Sequence, residues 1–280
     1  MKLVRYGQPG TERPGLLQDG VLRDLSAQAG DIGPAQLAGG LLQRLRGIDP
    51  AGLPPVEGSP RLGAPLSHTG KFLGIGLNYR DHALESGMPL PEEPVLFMKA
   101  PSALSGPADP VIRPRGSTRL DYEVELGVVI GARARHVAEA DALAHVAGYV
   151  IVNDISERAW QLKRGGQWTK GKSADTFGPI GPWLVTADEV PNPQALTLQL
   201  DVNGKPKQRG STADMVFGVA KIVSYLSEFM TLHPGDIITT GTPAGVGSTR
   251  QPAEYLQPGD VMTLRISGLG QQTLTVVQED

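Results

Sequence analysis

Five acidic and basic side chains in this sequence stand at spacings that could do chemistry, and four of them are carboxylates. Glu123 and Glu125 lie two apart in Tyr122-Glu-Val-Glu-Leu-Gly-Val-Val-Ile130. On a strand, the period of two turns both acids to one face and Val124, Leu126, Val128 and Ile130 to the other. Taking unpaired carboxylates out of water is costly, whereas a hard divalent cation supplies both charge and coordination. Asp154, just beyond the apolar run Tyr149–Val152, is a third candidate ligand. The same residues also read as a solvated strand end and, in Asp154-Ile-Ser-Glu157, as a helix capping box. His82 and Glu85 are three apart in Tyr79-Arg-Asp-His-Ala-Leu-Glu-Ser86, so a helix puts them on one face. The carboxylate can then orient the imidazole as a general base, and a surface ion pair is the other reading of that spacing.

Two further segments could handle anions. Thr239-Thr-Gly-Thr-Pro-Ala-Gly-Val-Gly247 offers hydroxyls and backbone N–H groups to a carboxylate or oxyanion, and reads equally as a plain turn. Gly166-Gln-Trp-Thr-Lys-Gly-Lys-Ser173 matches the phosphate-cradling pattern G-x-x-x-x-G-K-[ST] letter for letter. Its context argues against a nucleotide site. No buried strand precedes it, and Gly178-Pro-Ile-Gly-Pro182 denies it the long helix whose N-terminus would hold phosphate. Lys172 then reads as a ligand-facing charge or a solvated lysine. Gly74-Ile-Gly76-Leu-Asn-Tyr79 lacks the third glycine of a dinucleotide loop. The remaining histidines, 68, 136, 145 and 233, have no ligand spacing, and neither G-x-S-x-G nor H-E-x-x-H occurs.

The elements that must position these residues are mostly strands. Lys2–Tyr6, Gly15–Leu17 and Val21–Leu25 are expected as short strands, followed by a helix from Pro34 to about Arg46. Prolines 50, 54, 55, 60 and 65, with interspersed glycines, leave no apolar periodicity and predict a linker. The domain expectation is therefore a small N-terminal domain over 1–65 and a catalytic domain over 66–280. Beyond the linker, strands are expected at Lys71–Leu77, Val95–Met98, Glu123–Ile130 and Gly148–Val152, with helices at Tyr79–Ser86, Ala138–Ala147 and from Asp154. Leu196–Val202 runs into the hairpin signal Asn203-Gly204. Met215, Val219, Ile222, Val223, Leu226 and Met230 mark one amphipathic helix. Strands outnumber helices, which predicts a β-rich α+β fold rather than a doubly wound parallel sheet.

Composition narrows the classes. The 280 residues suit one or two domains with a sizeable core. A net charge of −3, with no like-charge block, argues against a nucleic-acid partner. Cys 0 excludes disulfides, thiolate nucleophiles and cysteine-ligated metals and fits a reducing compartment. Met1–Pro9 has no signal-peptide core, and the best apolar run, Leu143–Val152, is about half the ~20 residues of a membrane helix, so a soluble cytoplasmic protein is expected.

Taken in order, six blocks resemble the fumarylacetoacetate hydrolase family: Gly76-Leu-Asn-Tyr-Arg-Asp-His-Ala83 with Glu85; Glu93-Pro-Val-Leu-Phe-Met-Lys99; Asp121-Tyr-Glu-Val-Glu-Leu126; Asn153-Asp-Ile-Ser-Glu-Arg158; Gly171-Lys-Ser-Ala-Asp175 with Gly178–Pro182; and Gly241-Thr-Pro-Ala-Gly-Val-Gly247. The resemblance spans roughly residues 71–247. It implies a mixed-sheet β-roll or sandwich core, Glu123, Glu125 and Asp154 as ligands of Mg²⁺ (with Mn²⁺ or Ca²⁺ as alternatives), and His82–Glu85 as the water-activating pair. It places the family lysine at Lys172, and substrate-contacting or bracing positions at Arg158, Gln161 and Thr242. Gly74-Ile-Gly-Leu77 offers no counterpart to the extra upstream aspartate of fumarylacetoacetase, so the likeness is to the smaller bacterial members. Ala174 stands where a bulkier residue is common.

The activity implied is hydrolytic C–C cleavage of a 2,4-dioxo acid to pyruvate and a second acid, by a homodimer. The opening segments Lys2-Leu-Val-Arg-Tyr-Gly7 and Arg23-Asp-Leu-Ser26 resemble members acting on 2,4-diketo-3-deoxy sugar acids or ureidoglycolate. Decarboxylation, isomerisation and hydration run through the same stabilised enolate, and fold alone does not choose among them. A nucleotide-binding protein and an inactive metal-binding interaction module are the competing classes.

Overall fold

The computed structural model describes residues 1–280. Its organising element is the strand Val124–Ile130, every residue of which is buried. It pairs antiparallel with Val146–Asn153 on one side and with Ile237–Thr239 on the other. From these the large sheet extends through Gly178–Thr186, Lys2–Tyr6, Arg13–Gln18 and Val21–Asp24 at one edge. At the other edge it runs through Phe72–Gly76 to Val95–Lys99. Ile237–Thr239 and Phe72–Gly76 run parallel, so the sheet is mixed. Lys2–Tyr6 joins it by pairing with Gly178–Thr186 (Leu3 opposite Leu184), which makes the N-terminal strands part of the same sheet.

A second, five-stranded sheet is ordered Lys205–Ser211, Thr197–Val202, Val261–Ile266, Gly270–Gln278 and Val111–Arg113. Its inward residues Leu198, Leu200, Met262 and Leu264 pack in one core with Leu126, Val128 and Ile151 of the large sheet. Val129, Val150 and Val152, on the opposite parity, join Leu3, Leu41 and Leu45 in a second core. A sheet covered on both faces explains why its strands read as continuous apolar runs.

The β-rich α+β reading holds. Local extents differ where glycine or tertiary pairing intervenes. The helix expected over Pro34–Arg46 is two short helices, Pro34–Ala38 and Leu41–Arg46, because Gly39-Gly40 interrupts it. Ala138–Ala147 is not an α-helix; a 3₁₀ segment, Glu139–His145, gives way to the strand Val146–Asn153, whose ladder claims the last residues. The helix expected from Asp154 starts at Arg158, with Glu157 capping it by accepting from the Ala159 N–H at 2.9 Å. Met215 and Met230 lie outside the amphipathic helix, which spans Val219–Phe229 with Met230 as its C-cap. The hairpin at Asn203-Gly204 forms as expected, with both residues at positive φ (51° and 72°).

Candidate active site

The pairing of Val124–Ile130 with Val146–Asn153 assembles the acidic cluster. Val124 lies opposite Asn153 and Glu125 opposite Val152. The strand Val146–Asn153 therefore ends beside the glutamates, and the Asp154 N–H donates to the Glu123 carbonyl at 2.9 Å. Glu123, Glu125 and Asp154 are all buried, and one carboxylate oxygen from each lies within 4.8 Å of the others. Oxygens held by one divalent cation at about 2.0–2.6 Å cannot be much further apart than this. An all-oxygen donor set of three carboxylates also suits a hard cation better than a soft one.

The electrostatics show how much positive charge this cluster needs. Lys172 Nζ donates to Glu123 Oε2 at 2.7 Å and to Asp154 Oδ2 at 2.6 Å. Lys99 Nζ donates to Asp154 Oδ1 at 2.5 Å. Arg158 holds Asp121 Oδ2 through Nε at 2.8 Å and places Nη2 2.7 Å from Glu123 Oε1, an ion pair outside hydrogen-bond angles. Burial works against the Glu123 carboxylate, but Lys172 and Arg158 outweigh it and hold the group ionised far below the usual range. Glu125 has no such partner. Burial, with Asp154 and Glu123 adding like charge, pushes its carboxyl well above the usual range. Its two hydrogen bonds, from Thr239 Oγ1 and the Gly241 N–H, both fall on Oε2 and leave Oε1 for a ligand. The cluster thus fits a divalent cation by geometry, donor type and charge deficit.

The two lysines differ. Burial would neutralise both, but Asp154 and Glu123 more than offset it at Lys172, whose pKa rises. At Lys99 burial prevails over Asp154, and the nearby Lys172 adds to the fall. Lys172 is therefore a fixed cation rather than a base. The phosphate-loop reading of its segment is displaced by packing. Thr169–Lys172 forms only one helical turn, and a Cβ on Gly171 would meet the Gln161 N and Glu157 O at 2.6 Å. That glycine lets one short helix press against the next.

His82 and Glu85 meet as expected, on the helix Arg80–Glu85, with Nδ1 2.8 Å from Glu85 Oε1. Glu85 Oε2 accepts from the Gly245 N–H at 2.9 Å. Burial raises the Glu85 pKa, yet the His82 hydrogen bond and the Gly245 N–H together lower it below the ordinary value. An ionised carboxylate only accepts, so Nδ1 carries the hydrogen of this bond, and in the neutral ring Nε2 holds the lone pair. The loop 239–247 therefore serves both halves of the site: Gly241 grips Glu125 and Gly245 grips Glu85.

One cavity of about 190 Å³ is lined by His82, Glu123, Glu125, Arg158, Gln161, Lys172 and Thr242. Asp154 is fully buried and does not line it, but Lys172, which does, donates to Asp154 Oδ2. Gln161 Oε1 accepts from Arg158 Nη1 at 3.0 Å. Thr242 Oγ1 donates to the Val124 carbonyl and accepts from Gln208 Nε2, so it braces the acid-bearing strand. Asp121 and Lys99 carry as much of this network as the residues singled out from sequence. Asp121 accepts from Gly247 and Ser248 N–H groups as well as from Arg158. Parity was the available signal for both: Lys99 shares the inward face of Phe97, and Asp121 precedes Glu123 by two.

A mixed-sheet fold with buried carboxylates, a histidine dyad and a fixed lysine around one cavity defines a metal-ready enzyme site. The family model for the fumarylacetoacetate hydrolase C-terminal region matches residues 71–277, and the chain belongs to that family. It is 59% identical over 274 residues to a Burkholderia multivorans protein named only as a hydrolase, covering 97% of each chain. It also resembles two solved structures over the whole of each chain. One is the fumarylacetoacetate hydrolase of Exiguobacterium antarcticum, at 37% identity and a TM-score of 0.86. The other is the maleylpyruvate hydrolase of Sphingobium sp. SYK-6, at 32% identity and 0.82, solved with manganese(II) and pyruvate. No helix of the chain is long and apolar enough to cross a membrane.

Proposed function

We propose that this protein is a Mg²⁺- or Mn²⁺-dependent hydrolase that cleaves the C3–C4 bond of a 2,4-dioxo acid, releasing pyruvate and a second carboxylic acid. The observation that carries the reading is the cavity that Glu123 and Glu125, two of the three clustered carboxylates, share with His82, which Glu85 orients. The manganese and pyruvate in the maleylpyruvate hydrolase structure support it. Glu123, Glu125 and Asp154 would hold the cation. Its chemistry there is Lewis-acid polarisation of the 2-oxo acid oxygens.

The chain's own residues supply the rest. His82 Nε2 takes a proton from water, while Glu85 holds the ring and stabilises the imidazolium. The water oxygen bonds to C4; the C3–C4 bond then breaks, its electron pair going to C3 and the C2 oxygen. Lys172, kept cationic by Glu123 and Asp154, faces that developing charge. A proton returned to C3 completes pyruvate. The dyad favours hydrolysis over decarboxylation, which needs no activated water. The test is a panel of 2,4-dioxo acids with Mg²⁺, reading pyruvate release by coupled lactate dehydrogenase. Release that stops in chelator supports the proposal; no pyruvate from any member, or full activity in chelator, refutes it.

A further inference from the structure

Beside its charged groups the cavity presents an apolar wall that begins at Phe97, whose ring centroid lies 5.0 Å from Lys172 Nζ. Ile75, Leu77, Met88, Phe97, Leu162 and Trp168 line it. Phe97 and Trp168 form one tilted wall, with ring centroids 5.8 Å apart and planes at 56°. The strand beneath has been cleared for these rings: a Cβ on Gly74 would lie 2.2 Å from Phe97 Cζ, and one on Gly76 would lie 2.2 Å from Trp168 Cζ3. Met88 and Leu162 are 47% and 58% exposed, so they form an apolar rim where the cavity opens.

Every cation of the lining already faces a protein carboxylate. Lys172 is held by two carboxylates and Arg158 by Asp121, Glu123 and Gln161. His82 is held by Glu85. Arg164, two residues beyond Leu162, lies over the Trp160 ring instead of lining the cavity. A second carboxylate on the substrate would find no counter-charge in the lining, and laid against the apolar rim it would lose part of its hydration without gaining a partner. A cavity of 190 Å³ is little larger than the ~150 Å³ that takes one benzene ring, so the eight non-hydrogen atoms of a dioxo head fill it and the tail must run along the rim.

We infer that this site selects 2,4-dioxo acids whose acyl tail is apolar and uncharged, an alkyl chain or an aryl ring seated on Trp168 and passing between Met88 and Leu162. The inference rests on the proposed function for the head group and is tested without turnover. Calorimetry on the Mg²⁺-loaded protein would compare uncleavable 2-oxo acids: pyruvate, 2-oxooctanoate and the dioate 2-oxoadipate. Each buried methylene is worth about fourfold in affinity, so two of them on the wall make 2-oxooctanoate bind at least about tenfold more tightly than pyruvate. It should exceed 2-oxoadipate by at least as much. Trp168→Ala should erase most of the advantage over pyruvate. Leu162→Arg, on an exposed position, should raise 2-oxoadipate affinity about tenfold. Equal affinities across the three ligands, tighter binding of 2-oxoadipate by the unaltered protein, or a Trp168→Ala variant with an unchanged ranking would overturn the inference. Pyruvate release from the dioxo acid panel decides the hydrolase reading separately.

Discussion

Replacing Lys172 by methionine keeps most of its length and apolar stem and removes only the ammonium. The Lys172 side chain is 2% exposed, and its ammonium is held between Glu123 and Asp154 at 2.7 and 2.6 Å. Removing one partner of a buried ion pair costs ~3–5 kcal/mol, because the other charge is stranded. Here the lower end applies, since Arg158 still faces Glu123 and Lys99 still faces Asp154. A loss of about 3 kcal/mol corresponds to a fall in Tm of roughly 6–12 °C for a chain near this size. The measurement is thermal unfolding of both proteins at pH 7 in chelator. A divalent cation supplies the missing charge, and a ligand at a hundred times its Kd adds ~2.7 kcal/mol. Repeating the scans in saturating Mg²⁺ should therefore narrow the gap between variant and parent. A variant within about 2 °C of the parent in chelator, or a gap indifferent to Mg²⁺, would show that the three acids do not form one charge-deficient cluster.

Other outcomes test the remaining parts of the site. Glu123→Ala should abolish Mg²⁺-dependent stabilisation of the fold, read by the same scans. His82→Ala should lower kcat by about 10²–10⁴-fold while calorimetry shows Mg²⁺ and pyruvate still binding, and an unchanged kcat would remove the dyad from the mechanism. Because the folded Glu85 pKa lies below its ordinary value, its contribution to stability is present above the usual carboxylate range and lost as pH falls through the folded value. The urea stability gap between parent and Glu85→Gln should accordingly be open at pH 7 and close on acidification. ATP and GTP should leave the Tm unchanged, since Lys172 is enclosed by carboxylates; a saturable nucleotide-induced rise, lost in Lys172→Met, would reverse that assignment.

Much of the site was readable from local periodicity. The period of a strand puts Glu123 and Glu125 on one face, and that of a helix pairs His82 with Glu85. Spacing leaves a solvated strand end and a surface ion pair equally open, and the family resemblance is what favours a metal and a base. Lys172 was ambiguous because its letters fit a phosphate loop, and only the contact of Gly171 with Gln161 and Glu157 shows what that glycine is for. Lys99 and Asp121 escaped notice because their importance comes from partners 55 and 37 positions away. The same cause blurred element ends. The ladder across Val124–Ile130 draws Val146 and Ala147 into a strand that local propensity gave to a helix. Glycine pairing, rather than tertiary contact, divided the helix at Gly39-Gly40.

The loop that grips Glu125 through Gly241 and Glu85 through Gly245 has a mechanical meaning. A shift of this loop would reach both carboxylates together, so under the proposed mechanism the error would be common to the acidic cluster and the His82–Glu85 pair and would largely cancel in the distance between them. A disturbance entering through the Arg80–Glu85 helix has no such cancellation. Substitutions that tilt that helix should therefore cost more rate per ångström of movement than those that slide the loop.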